Sequence, residues 1–400
     1  MPTTLHLLLT IAVAALLVPT AVFALECLLS VWPLRREPDG DTAAPLRTVV
    51  LVPAHNEELV LAQTLERLLP SLAPGDRALV VADNCTDRTA EIARQCGAEV
   101  LERTDPTRRA KGFALDFGVR ALAADPPDVL VILDADSQVE PRTIATLSRR
   151  TAASGRPVQA LYLLEAGDGR PVQLVSEFGF RFKNLVRPLG LARLGLPCQL
   201  MGSGMALPWT IADRVVWASD HLTEDMQLGL DLALTGTPAV FCPEARVTSR
   251  FPDRPAAWLS QRTRWEQGHL RTLVQHVPRL TWAALRQRRI DLAALALDLL
   301  VPPLSLLILL WLAAAGAAGA GWLCGASAGA LWLLAAGGLL AGVAVAAAWA
   351  VHCRERIPLR TVAAIPGYIV RKLPIYASFF LRKGERRWVR TERETAGVPE

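Results

Sequence analysis

Two hydrophobic patterns divide the chain. From Leu5 to Val31, and again from Leu299 to Ala350, apolar residues dominate every face; His6 and Glu26 interrupt the first run, and no Asp, Glu, Lys or Arg interrupts the second. Roughly 20 such residues cross a bilayer as a helix, so the second run is long enough for two spans, with the glycines between Gly316 and Gly325 offering the turn. The first run is too long for a signal peptide, and the segment before it, MPTTLH, has no Lys or Arg; it predicts a retained anchor.

Between the two runs the pattern alternates. After a Pro-, Gly- and charge-rich linker, WPLRREPDGDTAAPL, the segment TVVLVPAHNEE reads as an apolar strand ending in polar residues, and LVLAQTLERLL as a helix. RALVVADNCTD is a second strand, TAEIARQCG a short helix closed by Gly97, AEVLER a third strand, KGFALDFGVRALA a helix and DVLVILDAD a fourth strand. The fourth strand, Val129 to Asp134, is apolar enough to be buried on both faces. Strand and helix in units of about thirty residues predict an α/β domain with a doubly wound, Rossmann-like parallel sheet. The expected organisation is an anchor over 1–34, a linker over 35–46, the α/β domain over 47–285, two transmembrane helices over 286–353, and an interfacial or re-entrant segment with a basic tail over 354–400. Within that last part, residues 357–381 carry Arg371 and Lys372 at their centre and so fit an interfacial position better than a span.

Composition fits that picture. Hydrophobic residues make up 52% of the chain, more than a soluble globule usually carries. Arg35 and Arg36 follow the anchor, Arg286, Arg288 and Arg289 precede the second apolar block, and Arg354 and Arg356 follow it. The positive-inside rule then places the middle of the chain on the cytoplasmic side of a bacterial inner or plasma membrane. The net charge of +5 is a juxtamembrane feature suited to anionic lipid and needs no nucleic acid. Seven cysteines without CxxC pairs read as reduced, mostly buried thiols. His6, His276 and His352, beside or within apolar segments, read as structural, and His221 receives no catalytic role.

Doubly wound sheets bind ligands at the carboxyl ends of their strands. His55, Asn56 and Glu57 follow the first strand, Asp83 and Asn84 the second, Asp134 and Asp136 the fourth. With no GxGxxG or GxxxxGK[ST] motif, a bound nucleotide would need a metal ion to carry its phosphate charge. Residues i and i+2 of an extended chain face the same side, so Asp134 and Asp136 can share one Mg²⁺ or Mn²⁺; the alternative is a solvated loop. Glu224 and Asp225 precede a helix, either as part of a terminus capped by Thr223 or as a general base. Gln261, Arg264 and Trp265 share one face if helical, either at a membrane interface or in a site.

PAHNEE, ADNCTDRT, RAKGFAL, DAD, TED and QRTRW, in this order over roughly residues 47 to 270, resemble the membrane-bound members of glycosyltransferase family 2, the GT-A fold group that includes cellulose, hyaluronan and chitin synthases and ceramide glucosyltransferases. The resemblance implies an inverting transferase using a nucleotide sugar, by family default a uridine diphosphate sugar. It implies that Pro53, Ala54, His55, Asn56, Glu57 and Asp83 hold the nucleoside, that Lys111 and Asp134 line the nucleotide and phosphates, and that Asp136, with Asp134, holds the metal. Asp225 matches the catalytic base with Glu224 beside it. Gln261, Arg264 and Trp265 match the motif at the diphosphate and acceptor end, and Gly202, Ser203 and Gly204 resemble the acceptor-side loop.

The expected acceptor is a membrane lipid or lipid-linked saccharide, because three spans with few polar residues are a poor lining for a polysaccharide channel. The competing expectations are a processive polysaccharide synthase with the same site and an inactive nucleotide-binding membrane scaffold. The sequence names neither the sugar nor a partner subunit.

Overall fold

The computed structural model describes residues 2–33, 46–167, 170–219, 221, 223–252 and 255–381. The linker expected over 35–46, apart from its last residue, and the basic tail beyond residue 381 lie outside them. The described residues form two units: 46–167, 197–252 and 255–268, as far as described, make one, and 2–33, 170–196 and 269–381 the other.

The first unit is built on an eight-stranded sheet of order β3-β2-β1-β4-β7-β6-β8-β5. Its strands are β1 (Thr48–Ala54), β2 (Arg77–Asp83), β3 (Glu99–Arg103), β4 (Val129–Ile132), β5 (Gln138–Val139), β6 (Val158–Glu165), β7 (Met205–Pro208) and β8 (Val240–Arg250). The four expected strands pair in parallel as β3-β2-β1-β4. β1, β2 and β4 are almost wholly buried, as their unbroken runs of Val, Leu and Ile require when helices cover both faces. Burying each such side chain contributes about 1.5–3 kcal/mol.

The sheet departs from the all-parallel expectation at β7, which runs antiparallel to both β4 and β6, and at β5, antiparallel to β8. The chain enters β7 directly from the turn at residues 201–204, whose Gly204 N–H donates to the Ile132 carbonyl at 2.9 Å; that bond sets β7 against β4 head to tail. β4 itself ends at Ile132 rather than Asp134, because the chain turns there and Ser137 N–H closes onto the Asp134 carbonyl at 3.0 Å.

In the second unit the helices Pro2–Ser30, Leu304–Leu323 and Gly329–His352 share an apolar cluster that includes Val13, Phe23, Phe182, Leu334 and Ala344. Among the described residues these are the three helices long and apolar enough to cross a membrane. They leave large side chains such as Leu7, Leu312, Trp332 and Leu339 exposed, as lipid-facing helices would. The turn falls at the last of the expected glycines. Gly316 and Gly319 are helical, at Gly321 Leu9 packs 2.5 Å from the place a Cβ would occupy, and the helix ends at Leu323, two residues before Gly325 in the left-handed region.

Gly169–Leu196, placed by sequence in the α/β block, belongs to this helical unit. Phe182 packs on Phe23 at a ring separation of 6.0 Å, and Gly190 brings its helix so close to the backbone of Glu26 that a Cβ would lie 2.2 Å from the Glu26 carbonyl oxygen. Residues 359–380 form a 3₁₀ turn, Leu359–Ala364, and a helix, Ile365–Phe380. Lys372 is buried, donating to Ser305 Oγ at 3.0 Å with its ammonium 4.4 Å from the centre of the Tyr368 ring.

One ion-pair network fastens this unit. Arg187 Nε donates to Glu26 Oε2 at 2.7 Å and its Nη2 to Asp298 Oδ1 at 2.5 Å, with the three side chains 7%, 4% and 6% exposed. Removing the cation alone would strand two buried carboxylates, so Arg187→Met is expected to destabilise the helical unit by about 3–5 kcal/mol. Converting Glu26 and Asp298 to Leu in the same variant should recover most of that loss. Thermal unfolding of the purified variants in detergent checks both.

Candidate active site

The loops after β1 and β2 are sewn together by short bonds. His55 Nδ1 lies 2.7 Å from the Asp83 carbonyl oxygen, Thr86 N–H donates to Asn56 Oδ1 at 2.7 Å, and Glu57 N–H donates to Thr89 Oγ1 at 2.8 Å. Asn56 and Asn84 each turn through the left-handed region, which Asn tolerates better than most residues. Pro53 and Ala54 sit in β1, paired in register with Val81 and Ala82 of β2.

Asp83 is buried at the end of β2, where Arg103 Nη1 donates to its Oδ1 at 2.6 Å. Arg103 also reaches Asp105 at 3.1 Å and lies 5.8 Å from the centre of the Phe113 ring. Sequence reasoning missed Arg103; it lies opposite Asp83 in the β2–β3 ladder, a signal that needs the register to be known.

Beyond the end of β4, Asp134 and Asp136 are half-buried while Leu133, Ala135 and Ser137 are buried, and Asp136 lies near enough to Asp134 to oppose its ionisation. Lys111, the first residue of the helix Lys111–Leu122, donates from Nζ to Asp134 Oδ1 at 2.5 Å and to the Gly202 carbonyl at 2.7 Å. The Asp134 N–H donates to Ser203 Oγ at 3.1 Å, and Ser203 Oγ is 2.8 Å from Ser137 Oγ. Gly202 adopts φ +86° and presents a bare Cα to Asp225; a Cβ there would lie 3.1 Å from Asp225 Oδ2. Gly204, at φ +69°, has no room for a Cβ against Ala160 and Val247. The structure thus brings Lys111, Asp134, Gly202, Ser203 and Asp225 into one cluster, with Gly112 as a second residue that the sequence did not single out. A Cβ at Gly112 would meet the Trp217 and Ser219 backbone at 2.5–2.9 Å, so this glycine lets the segment leading to Glu224 pass close to Lys111.

Charge is unevenly divided here. Burial works against the Lys111 ammonium, but Asp134, Glu224 and Asp225 more than offset it and hold its pKa above the ordinary value. Burial, with Asp136 and Asp225 nearby, raises Asp134 despite the Lys111 pair. Glu224 and Asp225 open the helix Glu224–Leu234, where the dipole favours anions, but Thr223 supplies no side-chain cap. Burial and the Asp225 charge push Glu224 up to about 7.

Gln261, Arg264 and Trp265 lie on the helix Pro255–Gln287, so they share a face. Gln261 Oε1 is buried without a hydrogen-bond partner. Arg262, between them in sequence, has its guanidinium 5.2 Å from the centre of the Phe251 ring and 5.9 Å from that of Trp265. Among the described residues no group of three or more His, Cys, Asp and Glu side chains is gathered to hold a metal ion.

A mixed sheet with acidic loops at these strand ends is the GT-A arrangement, and the chain belongs to the family described as glycosyltransferase like family 2, whose model matches residues 45–268. It is similar to the probable glycosyltransferase YdaM of Bacillus subtilis (strain 168), with 26% identity over 232 residues, 55% of this chain and 54% of that protein. It is also similar to the 4,4'-diaponeurosporenoate glycosyltransferase of Staphylococcus haemolyticus, with 33% identity over 108 residues, 25% of this chain and 26% of that protein. The chain therefore spans about half or less of the length of these relatives. In fold it is similar to the mannosyltransferase PcManGT from Pyrobaculum calidifontis, solved in complex with GDP-Man and Mn²⁺, with a TM-score of 0.59 at 18% identity over 96% of this chain and 100% of that one.

The raised Glu224 pKa has a consequence for stability. In the unfolded chain Glu224 ionises near 4.5, in the fold near 7, so the cost of its folded-state charge is absent below pH 4.5, grows between the two values and is complete above pH 7. Glu224→Gln is expected to be more stable than the parent at pH 8 by on the order of 1–3 kcal/mol, with the difference gone near pH 4. Denaturant unfolding across that range, in chelator and without nucleotide, measures it.

Proposed function

We propose that this protein transfers a sugar, with inversion, from a nucleotide-diphosphate sugar to a hydroxyl of a membrane lipid or lipid-linked saccharide. The observation that carries the reading is the single lysine, Lys111, set among Asp134, Glu224 and Asp225 at the sheet's carboxyl ends. The GDP-Man and Mn²⁺ in the PcManGT complex support the donor class and a divalent cation, Mg²⁺ or Mn²⁺. A uridine diphosphate sugar is the first donor to try.

Asp134 and Asp136, two half-buried carboxylates beyond the end of one strand, fit such a cation, whose remaining positions would go to phosphate and water. Bound there, the cation would neutralise the diphosphate and ease departure of the nucleoside diphosphate. Asp225 takes the proton from the acceptor hydroxyl as that oxygen attacks the anomeric carbon from the face opposite the leaving group. The bare Cα of Gly202 leaves its carboxylate accessible. Lys111 holds Asp134 in place, while Asp83, fixed by Arg103, and the PAHNE residues form the nucleoside side. Arg264 supplies a planar fork for the diphosphate, and the orphaned Gln261 Oε1 an acceptor for a donor or acceptor hydroxyl.

The arginines flanking the apolar blocks support a cytoplasm-facing site, and the three apolar helices support a multi-pass membrane location. The full chain in lipid nanodiscs with Mn²⁺ or Mg²⁺, given a panel of nucleotide sugars with and without lipid extract, should yield one sugar added to a lipid only when extract is present. A polymer ladder without extract would make it a processive synthase, and no transfer at all an inactive scaffold.

Asp225→Asn should keep donor binding by calorimetry and lose about 10²–10⁴-fold in turnover; near-normal turnover removes it as the base. For Asp136→Ala the expectation is loss of metal-dependent binding of the nucleotide sugar. Tight binding by that variant in the presence of chelator would contradict the metal assignment.

A further inference from the structure

Gln159, the second residue of β6, has no place in the chemistry above, yet it is completely buried and its amide bonds both sides of the turn that shapes the site. β6 and β7 pair at Val158↔Ala206 and Gln159↔Met205, and Ala160 N–H then donates to the Gly204 carbonyl at 2.8 Å. Beyond that point the chain bends away through Gly204 and Gly202, both in the left-handed region, and backbone pairing stops. The Gln159 side chain takes over. Its Oε1 accepts from Met201 N–H at 2.8 Å, and its Nε2 donates to the Ser203 carbonyl at 2.9 Å and to the Ala160 carbonyl at 2.9 Å. A primary amide offers the donor and acceptor of one peptide group, so it clamps both sides of Gly202 as a neighbouring strand would.

Gly202 is the residue whose carbonyl receives Lys111 and whose bare Cα faces Asp225, and Ser203 Oγ receives the N–H of Asp134. We propose that Gln159 is a positioning residue for sugar transfer: by clamping Met201 and Ser203 it sets the Gly202 carbonyl and Cα, and through them the relative placement of Lys111, Asp134 and Asp225. The inference rests on the transfer reading above. Gln159 touches no reacting group itself, so its removal should act on turnover more than on donor binding, because a displacement of about 1 Å in a catalytic group can cost about a hundredfold in rate.

The test uses the full chain in nanodiscs with Gln159→Leu, which keeps much of the volume and loses both kinds of bond, Gln159→Glu, which keeps only the acceptor for Met201, and Leu163→Ala, a buried β6 residue outside the clamp. Three readouts are taken: amide hydrogen exchange over residues 200–205, binding of UDP and GDP with Mn²⁺, and kcat with KM for the nucleotide sugar that is turned over. Gln159→Leu should exchange faster at Met201, bind nucleotide within about threefold of the parent and lose about 10–100-fold in kcat. Gln159→Glu should retain Met201 protection and lose less. Leu163→Ala should be less stable but keep its kcat. The proposal is overturned by parental kcat in Gln159→Leu, by a loss carried wholly in KM, or by an equal kcat loss in Leu163→Ala, which would make the effect one of stability. Should the parent transfer no sugar, the transfer reading fails on its own, and unchanged exchange at Met201 in Gln159→Leu would separately remove the clamp.

Discussion

The sheet unit is organised around one cation held among carboxylates. Asp134, Glu224 and Asp225 lie near the carboxyl ends of the strands and lift the pKa of the Lys111 ammonium among them, while Asp136 acts on Asp134. Like charges at such separations in a partly desolvated pocket oppose ionisation, and the raised Glu224 is the direct expression of that strain. Local packing follows from the need to keep Lys111 in place. Gly112 admits the Trp217–Ser219 backbone beside it, Gly202 turns its carbonyl to it, and Gln159 keeps that turn from relaxing. A residual excess of negative charge is also what a divalent cation and its diphosphate partner would relieve, so the same arrangement that strains the fold favours the proposed ligand.

The helical unit repeats the principle in a drier setting. Arg187 lies between Glu26 and Asp298, and its planar fork contacts both where a lysine could offer only a point charge. The three partners come from residues far apart in the chain, so the network fixes which faces of the N-terminal helix, the Arg187–Arg193 helix and the Ile290–Leu300 helix meet. Apolar packing among helices can slide at little cost; a buried cation that must satisfy two particular carboxylates cannot.

Much of this was legible from pattern. The four parallel strands and the apolar helices arise from local periodicity, which a single sequence carries. What escaped depended on pairing between distant segments. Arg103 faces Asp83 only once β2 and β3 are in register, and Gln159 looks like any polar residue in a strand until the 201–204 turn lies beside it. The packing of residues 170–196 is equally illegible locally: their helical pattern suits either unit, and their partners Phe23, Glu26 and Asp298 are all remote in sequence. Nothing local announces the Tyr368 ring and Ser305 hydroxyl that receive the Lys372 ammonium.

The polar groups of the apolar helices also bear on which acceptor suits the site. A growing polysaccharide crossing a membrane needs polar side chains turned toward its path. In the described helices those side chains are already engaged within the protein. Thr20 donates to the Leu16 carbonyl and receives the Trp311 indole N–H, Ser30 donates to the Cys27 carbonyl, and Glu26 is held by Arg187. Ser305 takes the Lys372 ammonium. Residues so committed stabilise helix against helix and leave little with which to line an aqueous route, whereas an acceptor already dissolved in the bilayer needs no such route. The internal hydrogen bonding of these apolar helices is therefore in keeping with the proposed transfer to a membrane-resident acceptor.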